Sequence, residues 1–458
     1  MVHALPKDFL WGNSTSSMQT EGADQEDGKG KSVYSDRPAT ANASDWQVAI
    51  DEYHRYPEDI ALMKAAGMNC YRFQISWSRV CPTGDGDFNE AGIAFYAKLI
   101  DDLLAAGITP MVCLYHFDMP LALAKQYNGF MSRHVVEAFV RYAKAMIDRF
   151  ADKVPYWLTF NEQNLYFQPD AFLISGYDHG DRSLSDLYTI NHHVMLAHAT
   201  VANYLHATTH AQIGGMLAYV QTYPASPDPQ DALYAQQIDE FLNRNQLDVF
   251  VNGHYSSQVL RYMANHDIDG DIQDADLAIL AKCHSDYIAF SYYQSTLIDS
   301  HHVPIGTAPN NYLAAGGLTQ NPTLPANEWH WVVDPTGFRN LMTSVYNSYH
   351  TPMFPVENGL GVREQYDGKP INDDYRIAYH RAHLQALKAA YGEDGVPIIG
   401  YLGWGLIDIP SSSGNMDKRY GLVYVDRTNH DLRTLARIPK RSYEWFKQVT
   451  MSNGERLD

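Results

Sequence analysis

The chain has 458 residues, a length that divides on average into about three domains of about 150 residues, although a (β/α) barrel routinely exceeds ~250 residues as one unit. Lys and Arg number 34 against 53 Asp and Glu, and the formal net charge of −19 excludes nucleic acid and anionic lipid surfaces as expected partners. Hydrophobic residues at 45% supply a large core, and charged residues at 19% are too few for a disordered chain.

Short β-prone apolar runs predict strands over residues 9–12, 69–77, 109–116, 156–162, 212–219, 285–293, 352–358 and 398–408. Helical periodicity fills most of the intervals, over 50–66, 90–106, 132–150, 184–207, 335–350 and 372–391. Lys64-Ala-Ala-Gly67 and Leu104-Ala-Ala-Gly107 repeat one signal, a glycine that closes a helix in the left-handed conformation before the next strand. Eight strand–helix units predict an α/β fold, a single (β/α)8 TIM barrel over residues 1–458. The stretches 24–45, 224–230 and 294–328 read as enlarged βα loops, and no linker divides the chain.

No apolar run reaches the ~18 residues of a membrane span, and the N-terminus has neither the basic nor the long apolar region of a secretory signal. Four scattered cysteines form no disulfide framework. A cytoplasmic location is expected, so the sequons at Asn13 and Asn42 should carry no glycan.

Catalytic groups in such a barrel sit at the C-terminal ends of strands. Two predicted strands end in a glutamate, Thr159-Phe-Asn161-Glu162 and Pro355-Val-Glu357-Asn358. A facing pair of carboxyls suits glycosidic bond cleavage, while the plainer reading is two strand-end carboxylates in ion pairs. The surrounding words decide between them. Phe9-Leu-Trp-Gly with Gln19-Thr-Glu-Gly, Tyr71-Arg72-Phe-Gln-Ile-Ser-Trp, Leu114-Tyr-His116-Phe-Asp-Met-Pro, Thr159-Phe-Asn-Glu162, Val356-Glu357-Asn-Gly and Trp404-Gly-Leu-Ile-Asp stand in an order that resembles glycoside hydrolase family 1.

The resemblance implies a retaining hydrolase with Glu162 as acid/base and Glu357 as nucleophile. It implies that Arg72 and Tyr293 support the nucleophile and that Asn161 binds the sugar 2-hydroxyl. Gln19 and His116 then read the 3- and 4-hydroxyls, and Trp404 is the stacking platform. The family's usual Asn-Glu-Pro is here Asn161-Glu162-Gln163, a departure that the phospho-sugar branch shares.

After Trp404 the chain lacks the Asn-Phe-Glu-Trp of members that cleave unphosphorylated glucosides, and has Asp408-Ile-Pro-Ser411-Ser412-Ser413-Gly-Asn-Met-Asp-Lys418-Arg-Tyr420 instead. Removing a carboxylate and adding hydroxyls and a cation favours a phosphate dianion. The segment resembles the phosphate loop of 6-phospho-β-glucosidases and 6-phospho-β-galactosidases, which assigns Lys418, Tyr420 and either Ser411 or Ser412 to the 6-phosphate. Glu328-Trp-His-Trp331 resembles the Trp-Gly-Trp of the phospho-glucosidases, with His330 in the glycine position. The absence of tryptophan in Ser411–Ser413 favours glucose over galactose.

The expected partner is thus a small phosphorylated glycoside, with no cofactor and no metal, and the resemblance implies a homodimer as the common assembly. The open alternatives are a 6-phospho-β-galactosidase, a β-glucosidase for free sugars and a non-catalytic sugar-binding barrel. A metal enzyme using His192-His193 or His301-His302 is disfavoured, because neither pair falls at a predicted strand end and adjacent residues diverge in direction.

Overall fold

A computed structural model describes residues 4–458. Eight parallel strands form one sheet: β1 (Leu10–Ser14), β2 (Cys70–Gln74), β3 (Thr109–Tyr115), β4 (Tyr156–Phe160), β5 (Gln212–Ala218), β6 (Tyr287–Tyr292), β7 (Met353–Asn358) and β8 (Gly400–Trp404). From β1 to β7 each strand pairs with its sequence neighbours, and β1 also pairs with β8. The remaining gap between β7 and β8 is bridged where Met353 meets Ile398 and the Ile399 N–H donates to the Met353 carbonyl at 3.0 Å. The predicted barrel and all eight of its strands are present.

Inside the barrel lies a small apolar layer contributed by every strand, including Leu10, Cys70, Met111, Leu158, Met216, Ala289, Phe354 and Leu402. Outward-facing residues such as Ile213, Ile288 and Tyr401 join a much larger core against the helices. This two-sided burial explains why the strands read as continuous apolar runs. Gly12 has a steric cause, since a Cβ there would stand 1.9 Å from the Cys70 carbonyl oxygen on β2. Gly107 ends the helix Glu90–Ala106 with φ 78°, as its sequence signal predicts. Asn13, the first residue of one sequon, is buried and accepts from the Leu406 N–H at 2.8 Å, which leaves it no room for a glycan.

Two of the three stretches expected to be loops are more ordered. Residues 224–230 finish a short strand (Gln221–Pro224) and start a helix (Pro229–Ile238), and 294–328 contain strands Ser295–Ile298 and Leu318–Thr319 of the same small sheet. Strands of two to four residues are too short to show alternation. Helical backbone also runs on from Pro229 to Asn252 through two π-type stretches, Asp239–Arg244 and Asp248–Asn252. Those wider turns shift the phase of the apolar residues, which hides the helix from a 3.6-residue pattern. Helix Arg441–Met451 lies beyond the last predicted helix, and its Phe446 packs edge-on against Trp11 of β1.

A buried bidentate pair fastens the end of the chain to its beginning, with Arg437 Nε and Nη2 donating to the two oxygens of Asp59 at 2.8 and 2.9 Å. Both side chains are essentially inaccessible. Asp59→Ala leaves the guanidinium buried alone and should lower unfolding free energy by about 3–5 kcal/mol, read as a lower urea midpoint; an unchanged midpoint would show the pair to be dispensable.

Candidate active site

A cavity of about 740 Å³ opens where strands β1, β3, β4, β6, β7 and β8 end. Gln19, His116, Asn161, Glu162, Tyr293, Trp331, Glu357, Trp404, Ser412 and Tyr420 all line it. Arg72 lies directly beneath, fully buried, while Ser411 and Lys418 stand behind the wall.

Two backbone irregularities aim the glutamates. On β7 the pairing with β6 slips between Pro355 and Glu357, so Val356 is an extra residue. Phe354 and Val356 both pack in the barrel interior, and strict alternation would then turn Glu357 outward. The bulge reverses that phase and brings Glu357 into the cavity. At the end of β4, Glu162 has a left-handed φ of 46°, which breaks alternation so that Asn161 and Glu162 both face the cavity. Phe117 (φ 73°) does the same after His116 on β3. Such conformations cost a non-glycine residue on the order of 1–3 kcal/mol and concentrate at functional sites.

The glutamates differ in their company. Glu357 Oε1 accepts from Arg72 Nη1, and Oε2 accepts from Tyr293 Oη at 2.9 Å. Arg72 also donates to Ser14 Oγ (2.9 Å) and Asn161 Oδ1 (2.7 Å), which fixes the guanidinium between β1, β4 and β7. Glu162 accepts one side-chain hydrogen bond, from Ser291 Oγ, and no cation touches it among the described residues. Burial and the charge of Glu357 push the Glu162 carboxyl up to about 8. Burial raises Glu357 as well, but Arg72 and Tyr293 pull it back, so Glu162 is the weaker acid.

Around them stand groups with free hydrogen-bonding capacity. His116 Nδ1 and Asn161 Nδ2 are buried with no protein partner among the described residues. Burial and the nearby Arg72 hold His116 far below its usual range, hence neutral, with its ring stacked on Trp404 at 5.4 Å. Gln19 donates to the Pro410 carbonyl (2.7 Å) and accepts from Ser16 Oγ (2.6 Å), which ties it to the segment after β8.

That segment carries the cation. Lys418 is 7% exposed and pairs with no carboxylate among the described residues. Its ammonium sits 3.3 Å from the Trp331 ring centroid and 5.4 Å from that of Trp329. Burial pushes its pKa down to about 8. Of the serines, Ser411 is occupied within the loop, bonding Ser413 Oγ at 2.9 Å and the Asn415 N–H at 3.2 Å, whereas Ser412 and Ser413 line the cavity. A buried ion cluster braces the loop from below. Asp408 accepts from Arg419 Nη1 (2.9 Å), Lys440 Nζ (3.2 Å) and the Gly421 N–H (2.7 Å), and Arg376 Nη1 donates to the Tyr420 carbonyl (2.9 Å).

Sequence reasoning left Ser413 among the hydroxyls of Ser411–Ser413, assigning only Ser411 or Ser412, and overlooked Ser291 altogether. Ser291 was accessible to it, because in Phe290-Ser291-Tyr292-Tyr293 the strand period puts 291 and 293 on one face. His330 has a backbone explanation: its φ is 62°, a left-handed conformation that glycine enters freely, and its exposed side chain makes the substitution tolerable. His192 and His193 belong elsewhere, bonded to Asp276 and Tyr255 and to Asp271 and the Phe130 carbonyl.

Comparison with known proteins gives concordant results. Residues 1–455 match the family model described as Glycosyl hydrolase family 1. The chain is 40% identical to a "Phospho-cellobiase" of Klebsiella oxytoca over 100% of both chains, and 39% identical to "Aryl-phospho-beta-D-glucosidase BglA" of Bacillus subtilis (strain 168) over 99% of both. Among solved structures, a family 1 β-glucosidase from Thermotoga maritima superposes with a TM-score of 0.87 at 29% identity, covering 99% of each chain. The strand-end glutamates, their barrel and these full-length matches lead to one conclusion: the chain belongs to glycoside hydrolase family 1.

Proposed function

We propose that this hydrolase is a 6-phospho-β-glucosidase, a single catalytic domain that releases glucose 6-phosphate from β-linked glycosides with retention of configuration. The observation that carries the phosphate reading is Lys418, a nearly buried ammonium with no carboxylate partner among the described residues, set behind the Trp331 ring at the end of the cavity where Ser412, Ser413 and Tyr420 converge. A cation kept unpaired in a chain of net charge −19 calls for an anionic ligand. A phosphate monoester carries about −1.5 to −2 charges near neutrality and accepts several such hydrogen bonds. The names of the 36–40% identical relatives, phospho-cellobiase and aryl-phospho-β-glucosidases, support the same reading. A substrate of that kind exists where sugars are phosphorylated, so we place the enzyme in the cytoplasm; no helix among the described residues is long and apolar enough to cross a membrane.

The chemistry follows from the difference between the glutamates. Ionised Glu357 attacks the anomeric carbon while Glu162 delivers its proton to the departing oxygen, and a glycosyl ester of Glu357 forms. Water then gives a proton to Glu162 and attacks the same carbon, which frees Glu357. The first step needs Glu162 protonated, so kcat/KM should fall as pH rises through about 8. It needs Glu357 charged, so kcat/KM should also fall on the acid side. Neutral His116 and Asn161 keep polar atoms for the sugar hydroxyls, Gln19 stands beside them, and Trp404 offers its face to the ring.

Assay of p-nitrophenyl β-glucoside with and without a 6-phosphate tests the substrate; equal kcat/KM for the two would refute the phosphate reading. Lys418→Ala should raise KM for the phosphorylated substrate roughly 10- to 100-fold, the worth of a hydrogen bond to a charged group, and leave the unphosphorylated one nearly unchanged. Tyr293→Phe removes a donor that favours charged Glu357, so the acid limb of the pH–rate profile should move to higher pH; a limb that stays put would contradict that role.

A further inference from the structure

The end of strand β6 and the residue just after it present two hydroxyls on one side, and these divide the two carboxyls between them. Ser291 and Tyr293 are two positions apart, both line the cavity, and each donates to a different glutamate: Tyr293 Oη to Glu357 Oε2, Ser291 Oγ to Glu162 Oε1. Ser291 is 1% exposed, and in the strand register it lies opposite Glu357 itself. Its hydroxyl therefore bypasses its own strand partner, Glu357, and reaches the carboxyl that the Arg72 guanidinium does not touch.

We propose that Ser291 is a positioning residue for the proton: by occupying Oε1 of Glu162 it leaves Oε2 as the oxygen that meets the glycosidic bond. The proposal rests on the reading of Glu162 as the acid/base. A carboxylic acid whose Oε1 accepts a hydrogen bond carries its proton on the other oxygen. In the first step the Oε2–H proton passes to the glycosidic oxygen as its bond to the anomeric carbon breaks and the bond to Glu357 forms. In the second, a water proton returns to Oε2 while the water oxygen takes the place of Glu357. Ser291 holds its bond through both steps and is neither consumed nor charged.

The same hydroxyl opposes a strong tendency. The charged groups that act on Glu162 are Glu357 from β7, Arg72 from β2 and Asp170 from the segment after β4, and burial with Glu357 dominates them in the direction of a weaker acid. A donor on the carboxylate favours its charged form and works the other way. Without Ser291 the carboxyl turns freely and releases its proton less readily. Substrates with poor leaving groups depend on that proton, whereas a dinitrophenolate departs without it.

The test compares wild type, Ser291→Ala and Ser291→Thr in the intact protein, using 6-phospho-cellobiose and 2,4-dinitrophenyl 6-phospho-β-glucoside across pH. Ser291→Ala should lose roughly tenfold in kcat/KM on the disaccharide, less than about twofold on the dinitrophenyl glucoside, and should move the basic limb up by about one pH unit. Ser291→Thr, which keeps a hydroxyl, should restore the limb. Burial brings Lys418 down to about 8 as well, so the three proteins are also compared in a Lys418→Ala background, where the basic limb belongs to Glu162. Equal losses on both substrates, or an unmoved limb in Ser291→Ala, would reduce Ser291 to a packing residue and overturn the proposal. Glu162→Gln separates the two failures: if it cleaves the disaccharide at the wild-type rate, the acid/base reading itself is wrong whatever Ser291→Ala shows.

Discussion

Arg72 is completely buried beneath a cavity that contains two glutamates, and its guanidinium touches only one of them. Everything the site can do depends on that asymmetry. Two carboxyls buried side by side oppose each other's ionisation, and the pair by itself does not determine which one gives way. Arg72 decides it by bonding Glu357, and its second arm reaches Asn161, the neighbour of Glu162. One cation thus favours the charged form of Glu357 and fixes the position of Asn161 beside Glu162. A buried guanidinium is costly unless its donors are met; Ser14, Asn161 and Glu357, at the ends of three different strands, accept from its two Nη groups, while Nε has no partner among the described residues. The barrel is what brings three strand ends close enough.

A second constraint governs the far end of the cavity. The chain is strongly acidic, and most of its buried cations there are consumed by carboxylates: Arg419 and Lys440 by Asp408, Arg376 by Asp373 and Glu364. Glu364, though burial pushes it up, is held at about 2 by Lys440 and Arg376. The cluster clasps the backbone on either side of Lys418 without giving Lys418 a partner. Its ammonium rests on aromatic faces instead, which stabilise a cation by electrostatics while leaving its donors available. Under the proposed function, an acidic surface that disfavours polyanions thus keeps one point prepared for a small dianion.

Strands, their order along the chain and the meeting of the two glutamates in one cavity were legible because each rests on a contiguous run of residues. So was the left-handed glycine at Gly107, where one residue type answers one backbone demand. The bulge before Glu357 was not legible: nothing in Pro355-Val-Glu357 reveals which residue is extra, and without it the alternation argues for the wrong face. Ser411 and Ser412 were equivalent in sequence, and only the turn that ties Ser411 to Ser413 and Asn415 separates them. The helix from Pro229 escaped detection because its π-type turns break the period on which such readings depend. His330 was legible as a departure, and its cause needed the backbone angle.

Trapping the covalent intermediate tests the division of labour between the two carboxyls most directly. Incubation with 2,4-dinitrophenyl 2-deoxy-2-fluoro-β-glucoside 6-phosphate, followed by peptide mass mapping, reports which carboxylate attacks. The ionised, Arg72-bonded Glu357 should carry one 2-deoxy-2-fluoroglucosyl 6-phosphate group per chain, with Glu162 unmodified. An adduct on Glu162, or turnover with inversion of configuration and no adduct, would contradict the account.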